Sequence, residues 1–134
     1  MSVAERQRTL IDDLLIIEDV QERLSAVVGR AAKFALPAES RVDANRVRGC
    51  VSSVWLMAER QDERWHFGCD ADSPMVKGLV TLLCDIYQEG TTAEIIATEP
   101  ELWERLGFSK LLSPTRVNGL AAVRARIREI VASA

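Results

Sequence analysis

No two cysteines in this 134-residue chain form a CxxC pair, and their total, three, is odd. In a reducing compartment that argues against a disulfide framework and for thiols used as thiols. No apolar run approaches the length of a membrane span. No basic stripe is dense enough to follow a phosphate backbone, and the net charge is -3, so nucleic acid is not an expected partner. The N-terminal Met1-Ser2-Val3-Ala4-Glu5-Arg6 turns charged at once and lacks the apolar core of a signal peptide, so a cytoplasmic chain is expected. Internal repeats, low-complexity tracts and a second domain are also missing. What remains is ordinary globular composition, 48% hydrophobic and 28% charged, enough for one domain over residues 1–134 with a core that needs no staples.

The elements follow from local grammar. Ser2-Val3-Ala4-Glu5 reads as a capping box. Leu10, Ile11, Leu14 and Leu15 recur at helical spacing behind it, to about Ile17. Asp19-Val20-Gln21-Glu22 reads as a second box, opening a helix to about Phe34 before Leu36-Pro37 stops it. Residues 38–45 read as a polar loop. Three short strands are expected next: one at Val47, ending in a Gly49-Cys50 turn, then Val54–Ala58 and Arg64–Phe67 around a charged Gln61-Asp62-Glu63 hairpin loop. Ser73-Pro74 opens a long helix to Gly90, apolar over a wide arc, which should lie across the sheet. Lys77, Thr81, Asp85 and Gln88 form its polar side, with Lys77 solvated and Cys84 packing at the flank of the apolar face. Thr91 caps a short helix to about Ala97, and another begins at Pro100 and closes at Gly107. Ser113-Pro114 opens the last, with Leu120, Val123, Ile127, Ile130 and Val131 inward and Arg124, Arg126 and Arg128 mostly outward. The fold class is α+β, a three-stranded antiparallel sheet packed against helices.

The stretch with chemistry in it is Arg46-Val47-Arg48-Gly49-Cys50-Val51-Ser52-Ser53-Val54-Trp55. A cysteine at a turn is reachable, and nearby cations favour its thiolate. Arg46, Arg48 and Cys50 share one face if the strand stays regular to the turn. The same pattern also suits a small apolar cysteine with arginines blunting a sheet edge.

Gly49-Cys50-Val51-Ser52-Ser53-Val54-Trp55 resembles the Gly-Cys-Gln-Ser-x-Val-Trp stretch of the SufE family, sulfur-acceptor partners of cysteine desulfurases. Asp72-Ser73-Pro74-Met75-Val76-Lys77-Gly78-Leu79 is similar to that family's Asp-Ala-x-x-Val-Lys-Gly-Leu helix start. Leu112-Ser113-Pro114-Thr115-Arg116-Val117-Asn118-Gly119-Leu120 is similar to its Leu-Thr/Ser-Pro-x-Arg-x-x-Gly-Leu segment. The resemblance covers nearly the whole chain and is weakest over the first forty residues.

The resemblance implies a SufE/IscU-like fold and a persulfide carrier rather than a stand-alone enzyme. Cys50 accepts sulfane sulfur from a SufS-like cysteine desulfurase, stimulates it, and passes the sulfur to an iron–sulfur cluster scaffold. It implies no cofactor and no metal on this chain; the pyridoxal phosphate belongs to the desulfurase. Arg116 and Asp72 are carried over as partner-contact or thiolate-support residues. Arg48, with Arg46, joins them from its place before the thiol. Val51 replaces the family's Gln and leaves the turn more apolar, which favours a thiol tucked inward. Cys69 also departs from the pattern. With Cys50, His66 and an Asp it suggests an alternative, an IscU-like metal or Fe–S scaffold, although regular strand alternation sets His66 and Cys69 on opposite faces. A third reading is an interaction module with no covalent role. Monomer and homodimer both remain open.

Overall fold

The computed structural model describes residues Met1–Ala134. Helix α1 (Val3–Leu15) starts where its capping box predicts: the Ser2 hydroxyl accepts from the Glu5 N–H at 3.1 Å, and the Glu5 carboxylate accepts from the Ser2 N–H at 3.3 Å. Helix α2 (Val20–Val28) is capped by Asp19, which accepts from Gln21 N–H at 2.9 Å, without the reciprocal half of a box. It ends six residues before the predicted Phe34. Two attractions pull the chain out of the helix. Arg30 and Lys33 both reach the Asp85 carboxylate at 2.9 Å. Beyond them, Phe34 O accepts from Cys69 N–H at 2.9 Å, and Leu36 N–H donates to Cys69 O at 3.2 Å.

Those two bonds lie on the outer edge of the sheet. The sheet has two strands, not the predicted three: β1 (Val54–Gln61) pairs antiparallel with β2 (Arg64–Ala71), from Val54↔Ala71 to Gln61↔Arg64. Both run longer than predicted: β1 extends to Gln61 because the turn closes on Asp62-Glu63 alone, with Asp62 at φ 57°, and β2 extends at its other end to Ala71, where it pairs with Val54. The expected strand at Val47 contracts to a single bridge, Arg46↔Trp55, with Val47 N–H donating to Val54 O at 2.8 Å. Gly49 at φ +91° turns the chain away before a second pair forms. The free edge of β2 is covered by Phe34 and Leu36, and by the Gln88 side chain, which accepts from Phe67 N–H at 3.0 Å and donates to Phe67 O at 2.6 Å.

Helix α3 (Pro74–Tyr87) crosses the inner face, with eleven buried residues. Trp65, Phe67, Cys69 and Ala71 point toward it from β2, at 0–5% exposure, as two-residue alternation requires. The predicted polar side of α3 is buried as well: Thr81, Asp85 and Gln88 face the α2 exit and the β2 edge rather than solvent. Gly78 lets α2 and α3 touch, since a Cβ there would lie 2.8 Å from Val27 O and Val28 Cα. Short helices α4 (Thr92–Ala97) and α5 (Leu102–Arg105) lead to α6 (Pro114–Ala132). The predicted stripe of α6 is buried at Leu120, Val123, Ile127 and Val131. Arg124, expected outward, is 6% exposed. Its guanidinium donates to Ile95 O at 2.8 Å and Thr98 O at 3.1 Å, closing the end of α4, and lies 4.8 Å from the Tyr87 ring centre.

Candidate functional site at Cys50

The loop bearing Cys50 is fastened at both ends and rests on α6. At its start Val47 pairs with Val54. At its end Asp72 N–H donates to Ser53 O at 3.1 Å. Between them Gly49 sits over α6, where a Cβ would come 3.2 Å from Ala122 Cβ. The Cys50 thiol then points down onto the helix and donates to Gly119 O at 3.2 Å. Small residues at 49, 119 and 122 make that approach possible.

The thiol lies in a nook walled by Val54, Val76, Leu79, Leu120 and Val123, with Thr115 and Arg116 at its polar side. The cavity measures about 30 Å³. Such a space takes roughly one or two water-sized groups. Burial pushes the Cys50 thiol above its ordinary value. A protonated thiol donating to a carbonyl is the state these surroundings favour at rest. Val51 lies at the rim of the nook and is 82% exposed.

Arg116 joins Cys50 in this nook. Its backbone N–H is capped by the Ser113 hydroxyl at 3.2 Å, which fixes the first turn of α6. Its Nη1 is buried and has no hydrogen-bond partner. An orphaned guanidinium N–H beside a thiol is costly for the resting protein, and an anion there would satisfy it.

Arg48 lies elsewhere. Val47 is buried, and Arg46 and Arg48 on either side of it face out into an open recess shared with Asp43, Gly49 and Cys50. The turn at Gly49 ends the strand alternation, so the expected single face of Arg46, Arg48 and Cys50 is broken. Burial is the cause of the upward shift at Cys50.

Asp72 is exposed and accepts from Arg41 at 3.1 Å. It holds the loop through its backbone; Ser73, not Asp72, caps α3. Arg41, read from sequence as loop, is the residue that sequence reasoning missed. Its guanidinium pairs with Asp70 at 2.8 Å and Asp72 at 3.1 Å, and lies 4.6 Å from the Trp55 ring centre. Lys77, expected to be solvated, also pairs with Asp70 at 3.4 Å. Burial opposes ionisation of Asp70, yet hydrogen bonds from Arg41, the Ala71 N–H and Lys77 outweigh it and hold the carboxyl below its usual range. No sequence signal pairs Arg41 with Asp70, because their partnership is set by the fold across 29 residues.

The alternative ligand set does not assemble. Cys69 is fully buried between β2 and α3, 3.5 Å from the Thr81 hydroxyl and in contact with Cys84. His66 sits on the other face of β2, and Cys50 on α6. No three His, Cys, Asp or Glu side chains converge as metal ligands. Cys84, expected at a flank, is wholly inside; its hydrogen bond with Cys69 and its burial push its thiol well above the ordinary value.

The family model for SufE, an Fe-S metabolism associated domain, matches residues 8–131. A SufE-like protein of Rhizobium etli is 33% identical over 127 residues, covering 90% of this chain and 85% of its own. SufE-like protein 1 of Arabidopsis thaliana, chloroplastic/mitochondrial, is 37% identical over 86 residues, covering 63% of this chain and 23% of its own. A solution structure of a Thermus thermophilus protein shares the fold, with TM-score 0.78 at 18% identity, over 96% of this chain and 94% of that one. With the α+β fold, the Cys50 loop and a family match over nearly its full length, the chain belongs to the SufE family of Fe–S metabolism associated domains.

Proposed function

We propose that this chain, acting as one domain over residues 1–134, is the sulfur-accepting partner of a cysteine desulfurase, with Cys50 as the acceptor. The observation that carries the reading is the Cys50 thiol held on a two-end-anchored loop against an apolar nook that also contains the orphaned Arg116 guanidinium.

At rest the nook keeps the thiol protonated and shielded from oxidants. Docking of the desulfurase swings the loop outward about Gly49 and breaks the bond to Gly119 O. The exposed thiol loses its proton to solvent or to a base on the partner. The Cys50 thiolate attacks the outer sulfur of the desulfurase persulfide. A bond forms between Cys50 Sγ and the sulfane sulfur, the bond to the desulfurase sulfur breaks, and the desulfurase cysteine leaves as thiolate. No net electron transfer occurs. The donor cysteine is free for another turnover, which is how an acceptor stimulates a desulfurase.

Cys50–S–S⁻ then folds back toward Arg116, whose unpaired N–H suits an anion. Asp72, on the exposed rim beside the loop, contacts the partner. Delivery to an iron–sulfur scaffold repeats the exchange with Cys50 as the leaving group. No helix is long and apolar enough to cross a membrane; cytoplasmic residence, and action as a monomer or homodimer, belong to the same proposal.

The test is mass spectrometry after incubation with a PLP-dependent cysteine desulfurase and free cysteine. One extra sulfur should appear on Cys50 and vanish in Cys50→Ser. Labelling of Cys69 alone would overturn the assignment, and undiminished stimulation by Cys50→Ser would reduce the protein to a non-covalent activator.

A further inference from the structure

Cys50 borders two spaces of opposite character. One is the apolar nook beside Arg116. The other is the open recess of about 390 Å³ formed with Asp43, Arg46, Val47, Arg48 and Gly49. A second recess of about 420 Å³ continues from it over Ala122, Ala125, Arg126 and Glu129, and again includes Arg46 and Arg48. Arg126 is already paired with Glu129. Arg46 and Arg48 are not: the chain's ion pairs engage Arg6, Arg30, Lys33, Arg41, Lys77, Arg124, Arg126 and Arg128, and Asp43 in the same recess pairs with none of them. Their backbones are nonetheless well fixed. Arg46 N–H donates to Asp43 O at 3.1 Å and Arg46 bridges to Trp55, while Val47 between them is 2% exposed. Two guanidinium groups without an ion-pair partner therefore line a concave space that the Cys50 residue also borders.

Paired, planar donors of this kind recognise carboxylates. A recess of a few hundred Å³ has the size of a small-molecule subsite. We propose that it takes a small thiol bearing a carboxylate, and that sulfur-loaded Cys50 discharges directly to that thiol. This rests on Cys50 carrying a persulfide, as proposed above. Once the Cys50 persulfide swings out of the nook and takes up a proton, the incoming thiolate attacks the outer sulfur of Cys50–S–SH. An S–S bond forms between acceptor and sulfane sulfur, the bond to Cys50 Sγ breaks, and Cys50 leaves as thiolate to take up a proton. The products are the acceptor persulfide and free Cys50, with no oxidant or reductant consumed. The arginines hold the acceptor's carboxylate, so they act as positioning residues.

The experiment loads purified protein at Cys50 with inorganic polysulfide. Discharge is then followed by mass spectrometry with mercaptopropionate, mercaptoethanol and cysteamine, which carry a carboxylate, a hydroxyl and an ammonium group. Rates are normalised to thiolate concentration and to the loaded fraction. Mercaptopropionate should outpace cysteamine by about tenfold at low salt, and the gap should close as salt screens the arginines. The double variant Arg46→Gln/Arg48→Gln should erase the preference. Equal rates for all three thiols in the unaltered protein would overturn the proposal, as would a preference that survives the double variant. If the variant slows transfer only to an acidic protein acceptor, the recess is a protein-docking surface and the small-thiol subsite falls. Should a desulfurase fail to load Cys50 while polysulfide-loaded protein keeps the carboxylate preference, the desulfurase reading fails and the subsite stands.

Discussion

The Cys50 thiol donates to the backbone carbonyl of Gly119 at 3.2 Å, on a helix turn that has no side chain to intervene. A Cβ at 119 would lie 3.6 Å from the sulfur, which is ordinary van der Waals contact. Gly119→Ala should therefore leave the thiol inward. It should stabilise α6 by about 0.5–1 kcal/mol, because glycine is a poor helix interior residue. Gly119→Val adds branches where the sulfur sits and should push Cys50 out. Alkylation of Cys50 by iodoacetamide checks both: near the unaltered rate for Ala, several-fold faster for Val. Equal rates in all three proteins would show that the carbonyl does not hold the thiol.

Alkali should weaken the fold through Cys50. Burial raises its thiol above the ordinary 9.0, whereas the contacting pair Cys69 and Cys84 shifts in opposite directions, Cys69 down and Cys84 up. The unfolded chain releases the Cys50 proton near the ordinary value, while the folded chain retains it. Stability from this group is thus complete below that value and lost as pH rises through it toward the folded-state value. The urea midpoint should fall across this range, and Cys50→Ser should flatten the slope. An unchanged slope in that variant would assign the loss to other groups.

Helix starts were legible because caps are local. Ser2, Ser73, Thr91 and Ser113 each bond a backbone N–H three residues on, and each stands where the sequence placed it. Cys50 was legible as a loop residue for a similar reason, since Gly49 takes the positive φ that the turn needs. What sequence missed is long-range. Arg41, Lys77 and Arg124 read as surface cations, and their partners at Asp70, Ile95 and Thr98 become neighbours only when the sheet and α6 are in place. The truncated strand at Val47 and the early end of α2 share that origin. Each segment has a competing partner that local pattern does not contain: α6 under the Cys50 loop, and the β2 edge beside Phe34.

Asp70 is where the α3 start, the Arg41 strap and β2 meet. Its side chain is 6% exposed and takes both Arg41 and Lys77. Asp70→Asn keeps the shape but removes the charge, leaving two cations with a neutral partner. A loss of about 1–2 kcal/mol is expected in urea unfolding, discounted because Arg41 remains exposed. The carboxyl is held below its usual range when folded, so its contribution is present above the unfolded value and lost as pH falls through the folded one. The variant should accordingly show a shallower loss of stability on acidification than the unaltered protein.

Arg116 separates a structural account of the nook from a chemical one. Its Nη1 is buried without a partner, so removing it costs the resting fold little and relieves an unsatisfied donor. Arg116→Ala should change unfolding stability by less than about 0.5 kcal/mol. If the guanidinium receives the terminal sulfur anion once the loop has returned, the same change should leave loading unchanged and shorten the lifetime of the Cys50 persulfide by about tenfold, the worth of one hydrogen bond to a charged group. Arg116→Lys keeps the charge but not the fork, and should recover only part of the lifetime. Mass spectrometry of persulfide decay after loading, against urea unfolding of the same proteins, reads both quantities. A large stability loss with an unchanged lifetime would make Arg116 a packing residue, because a partner for the persulfide anion must act on the loaded state and a prop for α6 must act on the fold.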